Sequence, residues 1–533
     1  SRYIDRANCY RDMNENEKAL EDYDMAIQVD PKDAENWYWR GSFLFYFMSD
    51  YKGAIRDLEK SISLNPSDIY NYIWLGELYY EIEDYAKSIE ISLKGLEVDK
   101  NDISGLELLY ETISDSYYDM GNIDKALEYI DKHLSLSPRP LITEWKGEIY
   151  EHDLNEPYTA LNLYTAGINI DSSCYYCWDS RARLYGKKLH NYEMAIKDFK
   201  YITTYIDTND VIELNWIGVY YHRLGEEEKA KEYYNKVIQK YNAGIEFNQN
   251  EINGGVAWSF NNLGVYNERD NDYVAAQKFY NKAIEINAQY PDRYYWRGWF
   301  YFNCLKKYDL ALLDIQQAID LDPENSKWVL CKANMLEKAN RLSQAEDIYD
   351  LAKKLFPKDQ NVQLERARFL GISGKLKSSE KEFKKLQHHK TLDAEYLNYQ
   401  IEMYIKNKDF NEAKKLAREC LNLYPKDTIS RMYLADIYFE EQNFSASCMN
   451  YTYLISMMEN NDNYLEYEPH LNQINLSELY IKQANTFEKV QDQQSQCEAL
   501  KKALSNLKNM YGIYNKKELQ KELENKIQSL CTP

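Results

Sequence analysis

Proline is scarce in this sequence, with 11 among 533 residues, so long stretches can stay helical without an interior breaker. No apolar run approaches the length of a membrane span, and no signal peptide opens the chain. Low-complexity tracts are absent, while aromatic residues reach 14% of the composition, which argues against a disordered chain. We therefore expect a folded, soluble, intracellular and cytoplasmic protein without direct membrane insertion.

The chain also lacks an excess of basic residues, because it has 65 Lys and Arg and 86 Asp and Glu, which gives a formal net charge of −21. Tight nucleic-acid binding needs clustered cationic side chains that displace counterions from phosphates, so no nucleic-acid partner is expected. The acidity permits a basic partner, or it serves only to keep a long surface soluble.

Catalytic and metal-binding motifs are also absent. The sequence contains no P-loop, no dinucleotide fingerprint, no G-x-S-x-G and no H-E-x-x-H pattern. Its seven His are dispersed, and its nine Cys include one C-x-x-C pair, Cys174 and Cys177, with no second pair at metal-ligand spacing. We expect no catalytic residue, no metal and no cofactor, a protein that is not an enzyme, and reduced, partly buried thiols.

What the sequence does contain is a small residue that recurs at a nearly fixed interval. The series runs Ala19, Ala54, Ser88, Ala126, Ala160, Ala195, Ala230, Ala276, Ala311, Ala345, Ser379, Ala413 and Ser447, and its last five members are 34 residues apart by subtraction of their numbers. Another small residue precedes most of them by about twelve positions, as Gly76 precedes Ser88, and a large residue such as Tyr79 follows three positions later. This periodicity predicts a pair of antiparallel helices per interval, which must stack on its neighbours to bury its apolar stripe.

The pattern resembles the tetratricopeptide repeat. The best match is residues 326–359, where the family's structural positions are filled by Ala333, Leu336, Ala345, Tyr349, Ala352 and Pro357. The resemblance covers roughly residues 1–460 and implies an all-α fold, a right-handed superhelical solenoid of about thirteen to fourteen helix-turn-helix repeats.

Two interruptions divide this array. We assign repeats 1–7 to residues 1–241, an inserted loop to 242–255 and repeats 8–13 to 256–458. Residues 459–533 would hold an inter-repeat insertion, a degenerate repeat and a C-terminal capping helix. Its apolar face would consist of Leu519, Leu523, Ile527 and Leu530. Each interruption is either a surface loop or a hinge.

The resemblance also implies where a partner would bind, because in this family the first helix of each repeat lines a concave surface that holds extended peptides. One column of that surface, two positions before the small residue, carries Trp39, Trp74, Trp145, Trp216 and Trp296. Carboxylates flank the column or the small residue at Glu77, Glu111, Asp115, Glu144, Glu148 and Asp179. Aromatic rings beside carboxylates suit Lys or Arg side chains. The alternatives are indoles that pack as core and carboxylates on a solvated face.

These observations lead to two hypotheses of function. In the first, the chain is a non-enzymatic scaffold or adaptor within a larger complex that binds an extended, basic polypeptide segment in its groove. In the second, it is the regulatory or substrate-recruiting region of an enzyme whose catalytic domain lies outside this sequence. Relatives that hold chaperone tails use a clamp whose first Lys would precede the Trp column, but this chain has Ile73, Glu111, Glu144 and other non-Lys residues there.

Overall fold

The computed structural model describes residues 1–387, 393–459, 476–508 and 516–531. Helices are the only regular elements in these ranges, so the prediction of an all-α chain is confirmed. The chain forms two compact units, Ser1–Thr208 and Asn209–Pro533.

The first unit consists of six helical hairpins, each built from a first and a second helix. The pairs are α1 (Arg2–Asp12) with α2 (Asn16–Val29), α3 (Ala34–Met48) with α4 (Tyr51–Leu64), α5 (Ile69–Glu81) with α6 (Tyr85–Gly95), α7 (Ile103–Asp119) with α8 (Ile123–Leu136), α9 (Pro140–His152) with α10 (Pro157–Ile170), and α11 (Tyr175–Lys187) with α12 (Tyr192–Tyr201). A π-helical segment, Ile202–Ile206, follows α12.

The second unit continues the same plan. Its helices are α13 (Val211–Arg223), α14 (Glu227–Asn242), α15 (Gln249–Glu251), α16 (Trp258–Arg269), α17 (Tyr273–Ile286), α18 (Pro291–Asn303), α19 (Tyr308–Leu321), α20 (Ser326–Lys338), α21 (Leu342–Leu355), α22 (Gln360–Ile372), α23 (Leu376–Gln387), α24 (Ala394–Lys406), α25 (Phe410–Leu423), α26 (Thr428–Glu440), α27 (Phe444–Glu459), α28 (Leu476–Lys489), α29 (Gln493–Lys508) and α30 (Lys516–Leu530). A π-helical segment, Ile252–Ala257, joins α15 to α16.

Successive hairpins stack in both units. In the first unit every helix packs against the one before it and the one after it, and the first helices α5 and α7 also touch each other. In the second unit the hairpins also stack in chain order, as α17 on α18 and α25 on α26 do, and α24 packs on α22. The described residues therefore form fourteen hairpins and a final helix, which agrees with the predicted solenoid of thirteen to fourteen repeats.

The turn inside each hairpin has a recurring local cause. A residue with positive φ ends the first helix, as Ser49 (φ 53°) and Glu83 (φ 62°) do. The next residue is commonly Asp or Asn, whose side chain accepts a hydrogen bond from the first turn of the second helix. Asp50 accepts from the Gly53 amide at 3.0 Å in this way. Asp50 before Tyr51 and Asn122 after Gly121 are thus the N-caps of α4 and α8.

The column of small residues marks where the two helices of a hairpin meet. Its Ala members are fully buried, and its Ser members donate a hydrogen bond to the carbonyl of the small residue on the first helix. The Ser88 hydroxyl lies 2.8 Å from the Gly76 carbonyl oxygen, and Ser379 and Ser447 repeat this contact with Ala367 and Ala435. Serine is tolerated among the alanines because its buried hydroxyl has this acceptor.

Residues 242–255 are not a loop throughout. After α14 ends at Asn242, helix begins again at Gln249 and runs without a break through the π-helical segment into α16. The Asn248 side chain caps this start in a capping box with Glu251, which explains why a polar stretch extends a helix. The inter-repeat insertion expected at the start of 459–533 falls largely on residues 460–475, which lie outside the described residues. In α30, Leu523 is buried and Leu519, Ile527 and Leu530 pack beside it.

The expectation of reduced thiols is wrong for four cysteines. Disulfides join Cys174 to Cys177 and Cys497 to Cys531. Cys174 is the N-cap of α11 and Cys177 lies in its first turn, so the helix start brings the two Cα atoms to 5.4 Å. Packing of α30 against α29 brings the second pair together.

Candidate functional site: an acidic, aromatic face on the first helices

The five tryptophans of the predicted column are half-buried, so they are neither closed core nor an open ladder. Trp39, Trp74 and Trp145 belong to the first unit, and Trp216 and Trp296 to the second. The Trp74 indole donates a hydrogen bond to the Tyr38 hydroxyl at 2.7 Å, which ties α5 to α3. Each indole thus packs partly against its surroundings and leaves part of its ring exposed.

Tyrosines bind successive first helices to one another beside this column. Tyr46 on α3 packs edge-on against Trp74, and its hydroxyl lies 3.2 Å from both carboxylate oxygens of Glu77 on α5. Tyr118 on α7 packs edge-on against Trp145 on α9 in the same manner. The aromatic rings and the carboxylates therefore share one surface, made by the first helices of repeats 2–5.

The structure brings most of the predicted carboxylates together on that surface. We name as the acidic row the residues Glu77 on α5, Glu111 and Asp115 on α7, and Glu144 and Glu148 on α9. The first unit is described without a gap, and none of its Lys or Arg side chains lies within ion-pair distance of these five carboxylates. Asp179 on α11 differs, because both of its oxygens lie 2.8 Å from Arg183 Nε.

Burial without a cation within ion-pair distance raises the pKa values of Glu77, Asp115, Glu144 and Glu148. Burial first, and then the charges of Glu111 and Asp119, raise the pKa of Asp115 to about 7. Burial also raises the pKa of Glu144 to about 7, with Glu148 and Asp179 adding to it and the hydrogen bond from the Ser180 hydroxyl opposing it. Asp115 and Glu144 are therefore only partly ionised at neutral pH, and a cation that approaches them stabilises their charged forms.

Burial likewise raises the pKa of Glu77, to which the Glu81 and Glu111 charges contribute. It also raises the pKa of Glu148, where His152 opposes the effect and Glu151 and Asp179 add to it. Because Glu77 on α5 is affected by Glu111 on α7, these carboxylates interact across neighbouring helices and not only along one helix.

The ion pairs made by the cations of the first helices were not predicted from the sequence. A Lys or Arg stands directly before the small residue of many first helices, at Arg6, Arg40, Lys146, Arg181, Arg297, Lys332 and Arg366. Arg40 contacts Asp57 on its own second helix and Asp24 on the preceding one, at 2.6 Å and 2.7 Å. Arg181 and Arg297 repeat the first of these contacts with Asp198 and Asp314.

These pairs place the cations toward the second helices. Of the helices that carry the acidic row, only α9 has a cation, Lys146, which pairs with Asp131 on α8. The signal was present in the sequence, because the partner Asp of such an Arg lies three positions after the recurring small residue, as Asp57 follows Ala54. The helices α5 and α7 contain no Lys or Arg, so their carboxylates have no cation on their own helix with which to pair.

No group of three or more His, Cys, Asp or Glu is placed to hold a metal ion among the residues that the structure describes. In the same ranges, no helix combines the length and the apolar character needed to cross a bilayer.

Family models described as tetratricopeptide repeat match about half of the chain. One matches residues 2–33, a second matches 34–68, 69–102, 109–140, 214–239, 259–290 and 402–427, and a third matches 305–360. A TPR repeat-containing protein of Methanocaldococcus jannaschii is 22% identical over 273 residues, which are 51% of this chain and 40% of that protein. The chain thus spans well under two thirds of that relative.

Solved structures with a similar arrangement include yeast Tom70, with 15% identity, 85% of this chain and 91% of that chain covered, and a TM-score of 0.38. The Cut9–Hcn1 hetero-tetramer of the APC/C gives 13% identity, coverages of 97% and 95%, and a TM-score of 0.40. Pseudomonas aeruginosa PilF gives 17% identity, coverages of 38% and 89%, and a TM-score of 0.32. Scores of this size indicate partial likeness only.

Proposed function

Because the chain belongs to the tetratricopeptide repeat family, we propose that it is a non-enzymatic scaffold that binds an extended basic segment of a protein partner on the acidic row. The observation that carries this proposal is the set of five carboxylates without a cation within ion-pair distance in a fully described unit. A bound Lys or Arg side chain supplies the missing charge, and the neighbouring rings supply cation–π contacts.

The magnitudes favour several weak contacts over one strong one. Exposed ion pairs contribute about 0.2–1 kcal/mol each, and cation–π contacts about 0.5–2 kcal/mol each. An extended chain that crosses α5, α7 and α9 can make one or two such contacts on each helix. Contacts that together contribute about 4 kcal/mol lower Kd roughly a thousandfold relative to a peptide that makes none of them. The complex is therefore specific but reversible.

The test compares fluorescent glycine-serine peptides that carry three arginines, three glutamates or no charge. We expect the arginine peptide alone to bind, with an affinity that falls as salt screens the carboxylates. The triple variant Glu111→Gln, Asp115→Asn and Glu148→Gln should weaken it about tenfold to a hundredfold, since three ion pairs of about 0.5–1 kcal/mol are lost.

A matched control removes the same charge from the second-helix side. Glu90, Glu97 and Asp124 are exposed and lie on or just after α6 and on α8. Their neutralisation lowers the net negative charge equally but should leave the affinity within about twofold, because surface charges there are solvent-screened. Equal losses in the two triple variants would show that only the net charge matters, and binding of the glutamate peptide would contradict the proposal.

A further inference from the structure

An aromatic-walled cavity of about 150 Å³ lies next to the acidic row, among α1, α2, α3 and α5. We name it the aromatic cup, and it is lined by Arg11, Ser42 and the rings of Tyr23, Tyr38, Trp39, Phe43, Tyr46, Phe47 and Trp74. An internal cavity of about this volume accommodates a benzene ring. The cup is therefore matched in size to a single aromatic side chain.

The walls favour a ring over an aliphatic group. Tyr46 meets Trp74 edge to face at 5.5 Å, and Tyr38 meets Trp39 in the same way at 5.4 Å. Edge-to-face and offset pairs are the preferred aromatic geometries, and they give an aromatic guest partners on several sides. Tyr46 and Phe47 are 49% and 45% exposed, so the walls are accessible from solvent.

The charges around the cup indicate where the rest of the guest lies. Arg11 stands on the α1 side, where it pairs with Asp12 at 2.8 Å and lies 5.8 Å from the centre of the Phe47 ring. That side of the cup offers a basic side chain no unpaired carboxylate, because Asp12 is already paired with Arg11. On the α5 side, the Tyr46 hydroxyl contacts Glu77, the first member of the acidic row. The basic part of a guest therefore extends from the cup toward α7 and α9.

We infer that the aromatic cup binds one aromatic side chain at the end of the same basic segment that lies on the acidic row. The inference rests on the proposed function and adds to it the chemical order of the partner: a ring first, then cationic side chains. Neighbouring packed helices lie about 8–10 Å apart, and an extended chain advances about 3.3 Å per residue. One cationic residue at about every third position therefore meets one first helix after another.

The test uses the glycine-serine peptide with arginine at every third position and adds one phenylalanine ahead of the first arginine. Its partner peptide has alanine in place of the phenylalanine, and both are also made in reversed order because either chain direction fits. In one direction, we expect the phenylalanine peptide to bind the wild-type protein about tenfold to a hundredfold more tightly than the alanine peptide, as full burial of a phenyl ring produces.

Two variants change the cup by opposite routes. Ser42→Phe fills the cavity, since Ser42 lies on its wall, and Phe47→Ala removes a ring from it. Both should abolish the advantage of phenylalanine while leaving the affinity for the alanine peptide unchanged. The control Tyr158→Ala deletes a ring that is 70% exposed on the second helix α10 and does not line the cup, and it should keep the full advantage.

Three outcomes distinguish the proposal of the aromatic cup from the proposal of the acidic row. Equal affinities of the phenylalanine and alanine peptides for the wild-type protein overturn the cup and leave the proposed function standing. An advantage that survives in both cup variants places the ring elsewhere and also overturns it. If no arginine peptide binds at all, the proposed function fails and the cup proposal fails with it.

Discussion

Replacing Asp115 by Asn should make the folded protein more stable, because burial of the charged Asp115 carboxylate costs free energy that no cation within ion-pair distance offsets. Raising its pKa from 3.8 to about 7 corresponds to about 4 kcal/mol, at about 1.4 kcal/mol for each unit of pKa. The side chain keeps part of its surface in water, so screening reduces that figure. We expect a gain in the free energy of unfolding of about 1–2 kcal/mol at pH 8.

The sign of the pH dependence follows from the two protonation states. In the unfolded chain Asp115 loses its proton near its ordinary pKa of 3.8, and in the folded protein near about 7. Between these values the folded state binds more protons, so the stability contributed by this group falls as the pH rises, and the full cost is present above pH 7. The advantage of Asp115→Asn should therefore shrink toward zero at about pH 4.

Urea unfolding followed by circular dichroism at several pH values measures this. Asp124→Asn is the control, since Asp124 is an exposed residue in the first turn of α8, where a negative charge is favourable. It should lose about 0.3–1 kcal/mol at neutral pH. If Asp115→Asn is neutral or destabilising at pH 8, the carboxyl is already compensated and the case for an unpaired acidic row collapses.

Two further predictions concern the packing that builds this surface. Arg297→Met should lower the free energy of unfolding in urea by about 3–5 kcal/mol because it leaves the buried Asp314 without its cation. The double variant with Asp314→Leu should recover most of the loss. No recovery would mean that the pair is not what stabilises α18 on α19. Gly147→Ala should cost about 1–3 kcal/mol by overpacking, because its Cβ would lie 2.5 Å from Tyr164 Cε1. Gly254→Ala, whose Cβ would meet Ile212 at 3.6 Å, should melt like the wild type, and a similar melting loss in the two variants would remove the steric explanation.

Much of the fold could be predicted from residue spacing because each repeat is built by local rules. Ala, Ser or Gly where helices touch, a cap at each turn and apolar residues at helical spacing all act within about forty residues, so periodicity alone indicates a stacked helical array. Ser88 and Ser379 belonged to the Ala column in the sequence, and the structure adds the reason, a hydrogen bond to the carbonyl across the hairpin. The capping box at Asn248 shows the limit, since a polar Gly-containing stretch favours a loop until its cap geometry is known.

By itself the sequence determined the helical hairpins, their order and which residues stand on the first helices, since these depend on contacts between residues near one another in the chain. Only the tertiary structure decided how charge is distributed on that surface. Arg40 on α3 and Lys146 on α9 stand on first helices close to the row, but helix packing directs them to Asp57 and Asp131 on second helices. The acidic row beside the aromatic cup is what remains, because burial and pairing depend on the neighbours that packing supplies and not on spacing along the chain.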